Sequence, residues 1–288
     1  MQEIKKRNIR DGNDLSEKNK EQLVENDKII RDPGQPSCKK NLSLRVFSRM
    51  VVISSLLIVV YFSTKEEKIK IFARQTDILV GKGEILECSP EYLKDVDKYE
   101  GCFPKECKRF VTDKVISIRE TEELLTIAQK ELQLKSSTEG ITTVEFSNNL
   151  NVYQITKEKI KYAIVHHFGV EPSKIYMARP ALLSAIKPIS HKKTSTTFNN
   201  YWDPRTDNDL HKSFHYTAVL YLGDYDKDFR GGRFVFVDKK ANKTIEPRKS
   251  RLSMFTSGSE NRYYIERVTS GIKYSLTFYF TCDKQFNV

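Results

Sequence analysis

Short runs of apolar and β-branched residues alternate with turn-forming residues along the C-terminal part of the chain. Each run is long enough for a strand, and the intervening clusters, such as Arg230-Gly231-Gly232 and Ser257-Gly258-Ser259, are typical of tight turns. This rhythm predicts a mainly β, antiparallel sandwich or jelly roll. The predicted strands cover residues 214–222, 233–237, 251–255, 263–268 and 272–281.

Two segments with apolar residues at helical spacing precede these strands in the sequence. Residues 120–134 carry apolar side chains at three- and four-residue intervals, which predicts an amphipathic helix. A second helix is predicted from a cap at Thr156 to Phe168, with Gly169 ending it. Residues 180–200 are predicted to form a flexible basic loop that leads into the β region.

The most apolar segment of the chain is residues 46–63, in which Arg49 is the one charged residue. A bilayer span takes about twenty residues, so this segment predicts a single transmembrane signal anchor if Arg49 reaches the interface. A cleaved signal peptide fits less well, because the run starts late and no small-residue cleavage site follows it. A buried core helix is the remaining alternative. The polar residues 1–45 predict a disordered cytosolic tail.

The chain has a net charge of +11 and a pI of about 9.2, but its basic residues are spread among 38 acidic ones. No basic stripe with interleaved aromatic residues is present in the sequence, which argues against nucleic-acid binding. Residues 31–49 and 64–83 each hold five Lys or Arg residues, so charge alone does not orient the anchor.

Cysteine usage favours an oxidising compartment for the C-terminal part. One cysteine, Cys38, precedes the apolar segment, and an even set of four follows it: Cys88, Cys102, Cys107 and Cys282. Two disulfides are expected, with three possible pairings. Cys102 and Cys107 are close enough to bridge locally, which leaves Cys88 to reach Cys282 or stay free. The sequon at Asn242, in a predicted turn, is a candidate glycosylation site.

These features together favour a type II membrane protein whose folded domain lies in the lumen of the endoplasmic reticulum or Golgi. The predicted parts are a tail (1–45), an anchor (46–63), a stem with a Cys-rich segment (64–110) and a folded domain (111–288).

Several segments of the β-rich part are similar in sequence to one enzyme family. They are Tyr201-Trp202, HYTAVLYL, GGRFVFVD, ANKTIEPR, LSMFTSGSEN and the last strand, which ends at Cys282. The chain resembles the double-stranded β-helix core of the iron- and 2-oxoglutarate-dependent oxygenases of the prolyl 4-hydroxylase group, and the likeness extends more weakly back to about Cys88. The resemblance implies a jelly roll with packed N-terminal helices, dioxygenase activity, and Fe(II), 2-oxoglutarate and ascorbate as cofactors.

The family holds iron with two His residues and one carboxylate, and a basic residue pairs with the distal carboxylate of 2-oxoglutarate. The resemblance puts Asp207 at the carboxylate position, Lys273 at the basic position, and Arg205 and Tyr263 where the family has its two His ligands. Arginine has no lone pair for a metal, and a phenol with a pKa of about 10 must first lose its proton. The iron site is therefore expected to be impaired.

Two hypotheses follow for this pocket. Arg205 could form an ion pair with Asp207 in place of the metal, and with Lys273 it could keep the pocket anion-binding. Lys273 also alternates with Ser275, Thr277 and Tyr279 along its strand, so a solvent-facing position is the alternative for it.

A rewired iron site would have to use His211 and His215, with Asp209 between Asp207 and His211. No His follows His215 in the sequence, so the later strand offers no imidazole. His215 alternates with Thr217 and Val219, where a lone His is more often a hydrogen-bonded structural residue.

Three functional interpretations remain. The leading one is a lumenal, membrane-anchored domain of the oxygenase fold that has lost its iron site and serves in binding or scaffolding, with a protein as a possible partner. The alternatives are an active 2-oxoglutarate-dependent dioxygenase with rewired ligands acting on a protein substrate, and a scaffold partner of an active relative.

Overall fold

The computed structural model describes residues 39–63, 69–133, 140–146, 150–189 and 202–287. The chain forms two compact units, Met1–Lys65 and Glu66–Val288. The first contains helix α1 (Lys39–Ser63), whose residues 45–62 are long and apolar enough to cross a membrane. Its apolar side chains from Val46 to Phe62 are exposed. It begins earlier than predicted, within the predicted tail, of which residues 1–38 lie outside the description.

The second unit is mainly β, as predicted. Its helices are α2 (Pro90–Val96), α3 (Ile118–Gln133), α4 (Asn151–Phe168) and the single turn α5 (Asp207–Leu210). Its first seven strands are β1 (Lys70–Ala73), β2 (Lys82–Leu86), β3 (Cys107–Thr112), β4 (Ile141–Phe146), β5 (Tyr176–Met177), β6 (Ala181–Ile186) and β7 (Tyr216–Tyr221). The others are β8 (Phe229–Gly231), β9 (Phe234–Phe236), β10 (Lys243–Ile245), β11 (Leu252–Thr256), β12 (Tyr263–Ile265), β13 (Val268–Gly271) and β14 (Lys273–Thr281).

These strands form two main sheets and a small β13–β8 ribbon. An eight-stranded sheet runs in the order β2-β3-β11-β7-β14-β6-β4, with β5 also paired to β14, and a four-stranded sheet runs β1-β10-β9-β12. The segment predicted as stem and Cys-rich region thus supplies three strands.

Strand β7, in the interior of the eight-stranded sheet, is buried on both faces, which explains its continuous apolar run. Tyr216, Ala218 and Leu220 face a core shared with α3 and α4, whereas Val219 and Tyr221 face a second core against the four-stranded sheet. Such side-to-side alternation follows from the two-residue period of a strand.

The predicted helices are confirmed, and both begin earlier than predicted. Leu124, Ala128 and Leu132 of α3 are buried, as expected from their spacing. Helix α4 ends at Phe168 with Gly169 in the left-handed conformation, at φ 71°. It starts at Asn151, because Val152 and Tyr153 extend its buried face, and Thr156 lies inside the helix.

The predicted loop at 180–200 is wrong in its first part. Residues 181–186 form β6, an interior strand between β14 and β4. Its apolar sequence is explained by burial on a sheet face. Residues 190–200 lie outside the described part of the chain.

All four cysteines of the second unit are paired, but the local pairing is wrong. Cys88 is bonded to Cys107 and Cys102 to Cys282. The reason is strand register: Leu86 of β2 lies opposite Cys107 of β3, which brings Cys88 next to Cys107. Cys102 is consequently left to tie the loop after α2 to the end of β14.

Asn242 is not the exposed turn residue that the sequence suggested. It is 7% exposed, and its side-chain oxygen accepts a hydrogen bond from the Asp238 amide. Its own carbonyl accepts from the amide of Lys70 as β1 joins the sheet.

Candidate functional site

The candidate site lies between the two main sheets, where α5 meets β7 and β12. Asp207 is the first residue of α5, which is capped by the Thr206 side chain, and it is 1% exposed. Tyr263 Oη donates a hydrogen bond to Asp207 Oδ1 over 2.7 Å, and Thr217 Oγ1 donates to Oδ2, also over 2.7 Å. Both carboxylate oxygens are thus held by hydroxyl groups.

The surroundings of Asp207 act on its protonation in opposite directions. Burial raises the pKa of its carboxyl group, while the hydrogen bonds from Thr217 and Tyr263 and the charge of Arg205 oppose that rise. Burial wins because a carboxylate loses more hydration than two hydroxyl donors restore.

Tyr263 is fixed from several sides. Its backbone forms a two-way bridge with Arg205, with N to O distances of 2.8 and 2.9 Å. Its ring stacks on Phe234 with a centroid distance of 4.4 Å. The Arg205 guanidinium lies over the same ring at 5.2 Å, within the range of a cation–π contact.

The hypothesis of a direct Arg205–Asp207 ion pair is wrong. Among the described residues, no ion pair joins these two side chains, and Asp207 is instead bonded to Tyr263 and Thr217. Arg205 stabilises the arrangement through the ring of Tyr263 and through its charge, which opposes the burial-driven rise in the pKa of Asp207.

Lys273 begins β14 and is 1% exposed, so it is not the solvent-facing residue of the alternative interpretation. Its ammonium group lies over the ring of Tyr221 at 5.7 Å. Its ammonium group makes no hydrogen bond or ion pair with another described residue, although its backbone pairs with Ile186 of β6. Burial lowers its pKa to about 7, although Glu266 opposes that shift.

Two spaces meet at this site. An inner cavity of about 20 Å³ is lined by polar groups of Lys273, Ser184, Ser275 and Thr277, with Arg205, Tyr263 and Tyr279. This is room for about one water molecule. An outer groove of about 420 Å³ shares Arg205 and Tyr279 with the cavity, so these side chains stand between the two.

The rewired-site candidates are not assembled into a metal site. His215 is fully buried; its Nδ1 accepts from the Cys282 amide at 2.9 Å and its Nε2 lies 3.1 Å from Asp95 Oδ2. His211 bonds Ser213 through Nδ1 and lines the outer groove. Asp209 accepts from Thr206. In the described part of the chain, no group of three His, Cys, Asp or Glu residues could hold a metal ion.

The residues at the family's ligand positions do not fit Fe(II). Asp207 is the one anionic donor, and both of its oxygens are taken by hydroxyl groups. The hydroxyl of Tyr263 is a hydrogen-bond donor to Asp207, and Arg205 adds a positive charge. Sequence reasoning did not find Thr217 as a partner of Asp207, because a threonine in an apolar strand carries no distinguishing signal.

Comparisons with known proteins agree on one family. Residues 192–281 match the model of the 2OG-Fe(II) oxygenase superfamily. The chain is 32% identical over 249 residues to 2-oxoglutarate and iron-dependent oxygenase domain-containing protein 3 of Xenopus tropicalis, covering 77% of each chain. It is 33% identical over 246 residues to the protein of the same name in Mus musculus, covering 76% of this chain and 77% of that one.

Solved structures that are similar to this chain include a prolyl hydroxylase in complex with a hypoxia inducible factor oxygen degradation domain peptide fragment, from Trichoplax adhaerens. The match covers 68% of this chain and 90% of that chain, with 12% identity and a TM-score of 0.48.

Proposed function

The chain belongs to the 2OG-Fe(II) oxygenase superfamily, with relatives named 2-oxoglutarate and iron-dependent oxygenase domain-containing protein 3, and from this premise we propose that it is a non-catalytic member. In this proposal the domain keeps the oxygenase fold, holds no iron, and binds a protein partner from a membrane-anchored, lumenal position.

The hydrogen bond between Tyr263 and Asp207 carries the proposal. The bond directly joins Tyr263 Oη, at the family's second His position, to Asp207 Oδ1, at its carboxylate position, over 2.7 Å. A metal between them would have to break this bond, remove the phenolic proton and bind beside the Arg205 charge. Each step opposes binding of a divalent cation.

The co-substrate pocket supports the same conclusion. The family implies 2-oxoglutarate, whose distal carboxylate would meet Lys273. The cavity beside Lys273 measures about 20 Å³, which holds about one water molecule and no dicarboxylate. Without iron and 2-oxoglutarate, ascorbate has no cofactor role in this domain.

Membrane anchoring rests on α1 and on the cysteines. Residues 45–62 are apolar, exposed and long enough to span a bilayer. Both disulfides lie in the unit that follows this helix, which suits the oxidising lumen of the endoplasmic reticulum or Golgi. A type II orientation puts them there, and protease added to sealed microsomes would leave the domain that holds the Cys102–Cys282 bond uncut only in that orientation.

Metal content tests the loss of catalysis. The full chain, purified in detergent from iron-supplemented cells and handled without oxygen, is expected to contain no stoichiometric iron and to show no heat of 2-oxoglutarate binding. The Asp207→Ala variant serves as the matched control. Iron at one equivalent per chain that disappears in this variant would overturn the proposal.

A further inference from the structure

The side chain of Lys273 is held by packing, and its amine is left without a polar partner. The residue is 1% exposed, and its Nζ atom has no hydrogen bond or ion pair with another described residue. Glycine at position 232 makes room for the methylene chain, because a Cβ atom there would lie 3.2 Å from Lys273 Cδ. A lysine is seldom buried unpaired, so this amine is a candidate for chemistry that an exposed lysine does not perform.

Three hydroxyl groups line the same inner cavity as the amine. Ser275 and Thr277 follow Lys273 on one face of β14, and Ser184 of β6 lies directly opposite Ser275 in the strand register. Ser184 and Ser275 are 3% and 4% exposed, and none of the three hydroxyls bonds another described residue. Buried polar groups are nearly always hydrogen-bonded. An amine and three hydroxyls around one small space therefore indicate a polar group that belongs there.

The environment of Lys273 also makes its amine reactive. Burial lowers the pKa of Lys273 to about 7, the charge of Arg205 acts in the same direction, and Glu266 opposes both. A large fraction of this amine is consequently neutral at pH 7, whereas an exposed lysine with a pKa of about 10.4 is protonated. Desolvated lysines of this kind are the ones that act as nucleophiles.

The size of the cavity limits what the amine can react with. Its volume of about 20 Å³ is room for about one water molecule, which excludes sugars and nucleotides. CO2 has three atoms and no charge, so it enters a buried space without the cost of desolvating an ion. A new N–C bond of about 1.3 Å replaces a non-bonded separation of about 3.5 Å, and this shortening lets the added group fit.

We propose that Lys273 is a carbamylation site for CO2. The lone pair of Nζ attacks the carbon of CO2, one C=O bond gives its electron pair to oxygen, and the nitrogen releases one proton to water. Amine plus CO2 thus becomes a carbamate anion plus a proton, with no oxidant or reductant. The carbamate oxygens accept hydrogen bonds from Ser184, Ser275 and Thr277. The inference goes beyond the proposed function and does not depend on it.

Carbamylation links CO2 to the stability of the domain. In the unfolded chain the lysine is exposed and protonated at neutral pH, so CO2 reacts preferentially with the folded state. A ligand that binds the folded state raises the free energy of unfolding as its concentration rises. Lys273 begins β14, which lies between β6 and β7 inside the eight-stranded sheet, so the effect should be seen in unfolding of the whole domain.

The test traps the carbamate on the full chain in detergent. The chain is equilibrated with carbon-13-labelled CO2 and bicarbonate at neutral pH, and triethyloxonium then converts the carbamate to a stable ethyl ester. Trypsin does not cut after the modified lysine, so mass spectrometry detects a peptide that continues through Lys273 with the labelled group attached. Three variants are treated in parallel: Lys273→Met, Ser275→Ala and Lys227→Met, the last because the Lys227 side chain is 65% exposed.

The native chain and the Lys227→Met variant are expected to carry the label at Lys273, with far less at exposed lysines. Ser275→Ala should need about tenfold more CO2 for the same labelling, because the carbamate loses a donor to a charged oxygen. The midpoint of thermal unfolding of the native chain should rise with CO2 at constant pH and ionic strength. The midpoint of Lys273→Met should not change.

Three results would overturn the inference: no label at Lys273, equal labelling of Lys227 and Lys273, or unchanged labelling in Ser275→Ala. Stabilisation by CO2 that persists in Lys273→Met would also contradict it. Iron content measured on the same sample separates this test from that of the proposed function. An iron-free chain without label refutes carbamylation alone, whereas a labelled chain with stoichiometric iron refutes the loss of the metal site alone.

Discussion

The hydroxyl of Tyr263 donates a 2.7 Å hydrogen bond to the buried carboxylate of Asp207 and so joins β12 to α5. In this chain the two side chains are partners in a structural contact. The contribution of this hydrogen bond to stability can be measured, because the Tyr263 hydroxyl can be removed while the ring is kept.

Tyr263→Phe is expected to lower the free energy of unfolding by about 1–3 kcal/mol, because it leaves one oxygen of a buried carboxylate without its donor. Urea denaturation measures the change. Tyr162→Phe is the matched control, since Tyr162 is 64% exposed. Equal stability of both variants would show that the Tyr263–Asp207 bond contributes nothing.

Lys273 should make the free energy of unfolding of the domain depend on pH in the alkaline range. Its folded-state pKa is about 7 against an ordinary value of 10.5, so between these values the unfolded chain binds the extra proton. The free energy of unfolding therefore rises with pH across this window. Lys273→Met should remove that slope and stabilise the domain near pH 7 by on the order of a few kcal/mol.

Chemical denaturation at several pH values between neutral and alkaline measures this slope. Lys227→Met is the control, because the Lys227 side chain is 65% exposed. If Lys273→Met and Lys227→Met keep the same pH dependence as the native chain, Lys273 is charged in the folded state and the description of its site is wrong.

His215 should make the domain sensitive to acid. Burial lowers the pKa of its imidazole below 6.5, although Asp95 opposes the shift. The unfolded chain consequently takes up a proton first as the pH falls below about 6.5, and the folded state loses stability there. His215→Gln should be less stable at pH 7 by about 1–3 kcal/mol, having lost two hydrogen bonds, and should lose less on acidification.

Thermal unfolding at neutral and mildly acidic pH tests this, with the exposed His166 changed to Gln as the control. An acid-induced loss of the same size in the native chain and in His215→Gln would exclude His215 as its source.

The two disulfides should differ in how much they contribute to the free energy of unfolding. Cys102 and Cys282 are 180 residues apart, whereas Cys88 and Cys107 are 19 apart. In the chain-entropy model, the longer loop adds about 2 kcal/mol more to stability. The paired change Cys102→Ser with Cys282→Ser should therefore destabilise the domain more than Cys88→Ser with Cys107→Ser.

Mass spectrometry of non-reduced peptides tests the pairing itself. A linked peptide containing Cys102 and Cys107 would contradict the structure. A smaller effect of the long-range pair on the unfolding free energy would contradict the entropic argument while leaving the pairing intact.

The sequence predicts those parts of the fold in which local pattern and burial agree. The alternation of β14 places Lys273, Ser275, Thr277 and Tyr279 on one face, and these are the residues that line the inner cavity. The predicted strand at 214–222 contains β7, because its apolar and β-branched residues leave no competing helical pattern.

Contacts between distant segments are not encoded in such local patterns. The positions of Arg205, Asp207 and Tyr263 come from a resemblance, but the sequence does not say which two form the bond. Charge alone favours an ion pair between Arg205 and Asp207. The backbone of Arg205 is instead bridged to Tyr263, and the Tyr263 hydroxyl bonds the carboxylate. The register of β2 with β3 decides the disulfides in the same way.

Restoration of the metal site tests the central claim most directly. The full chain and its double variant Arg205→His with Tyr263→His are titrated anaerobically with Fe(II) in the presence of 2-oxoglutarate. We expect the native chain to bind neither and the double variant, with Asp207 freed from the phenol, to bind iron. Stoichiometric iron binding by the native chain that survives in Tyr263→Phe but not in Asp207→Ala would contradict the claim that this site has lost its metal.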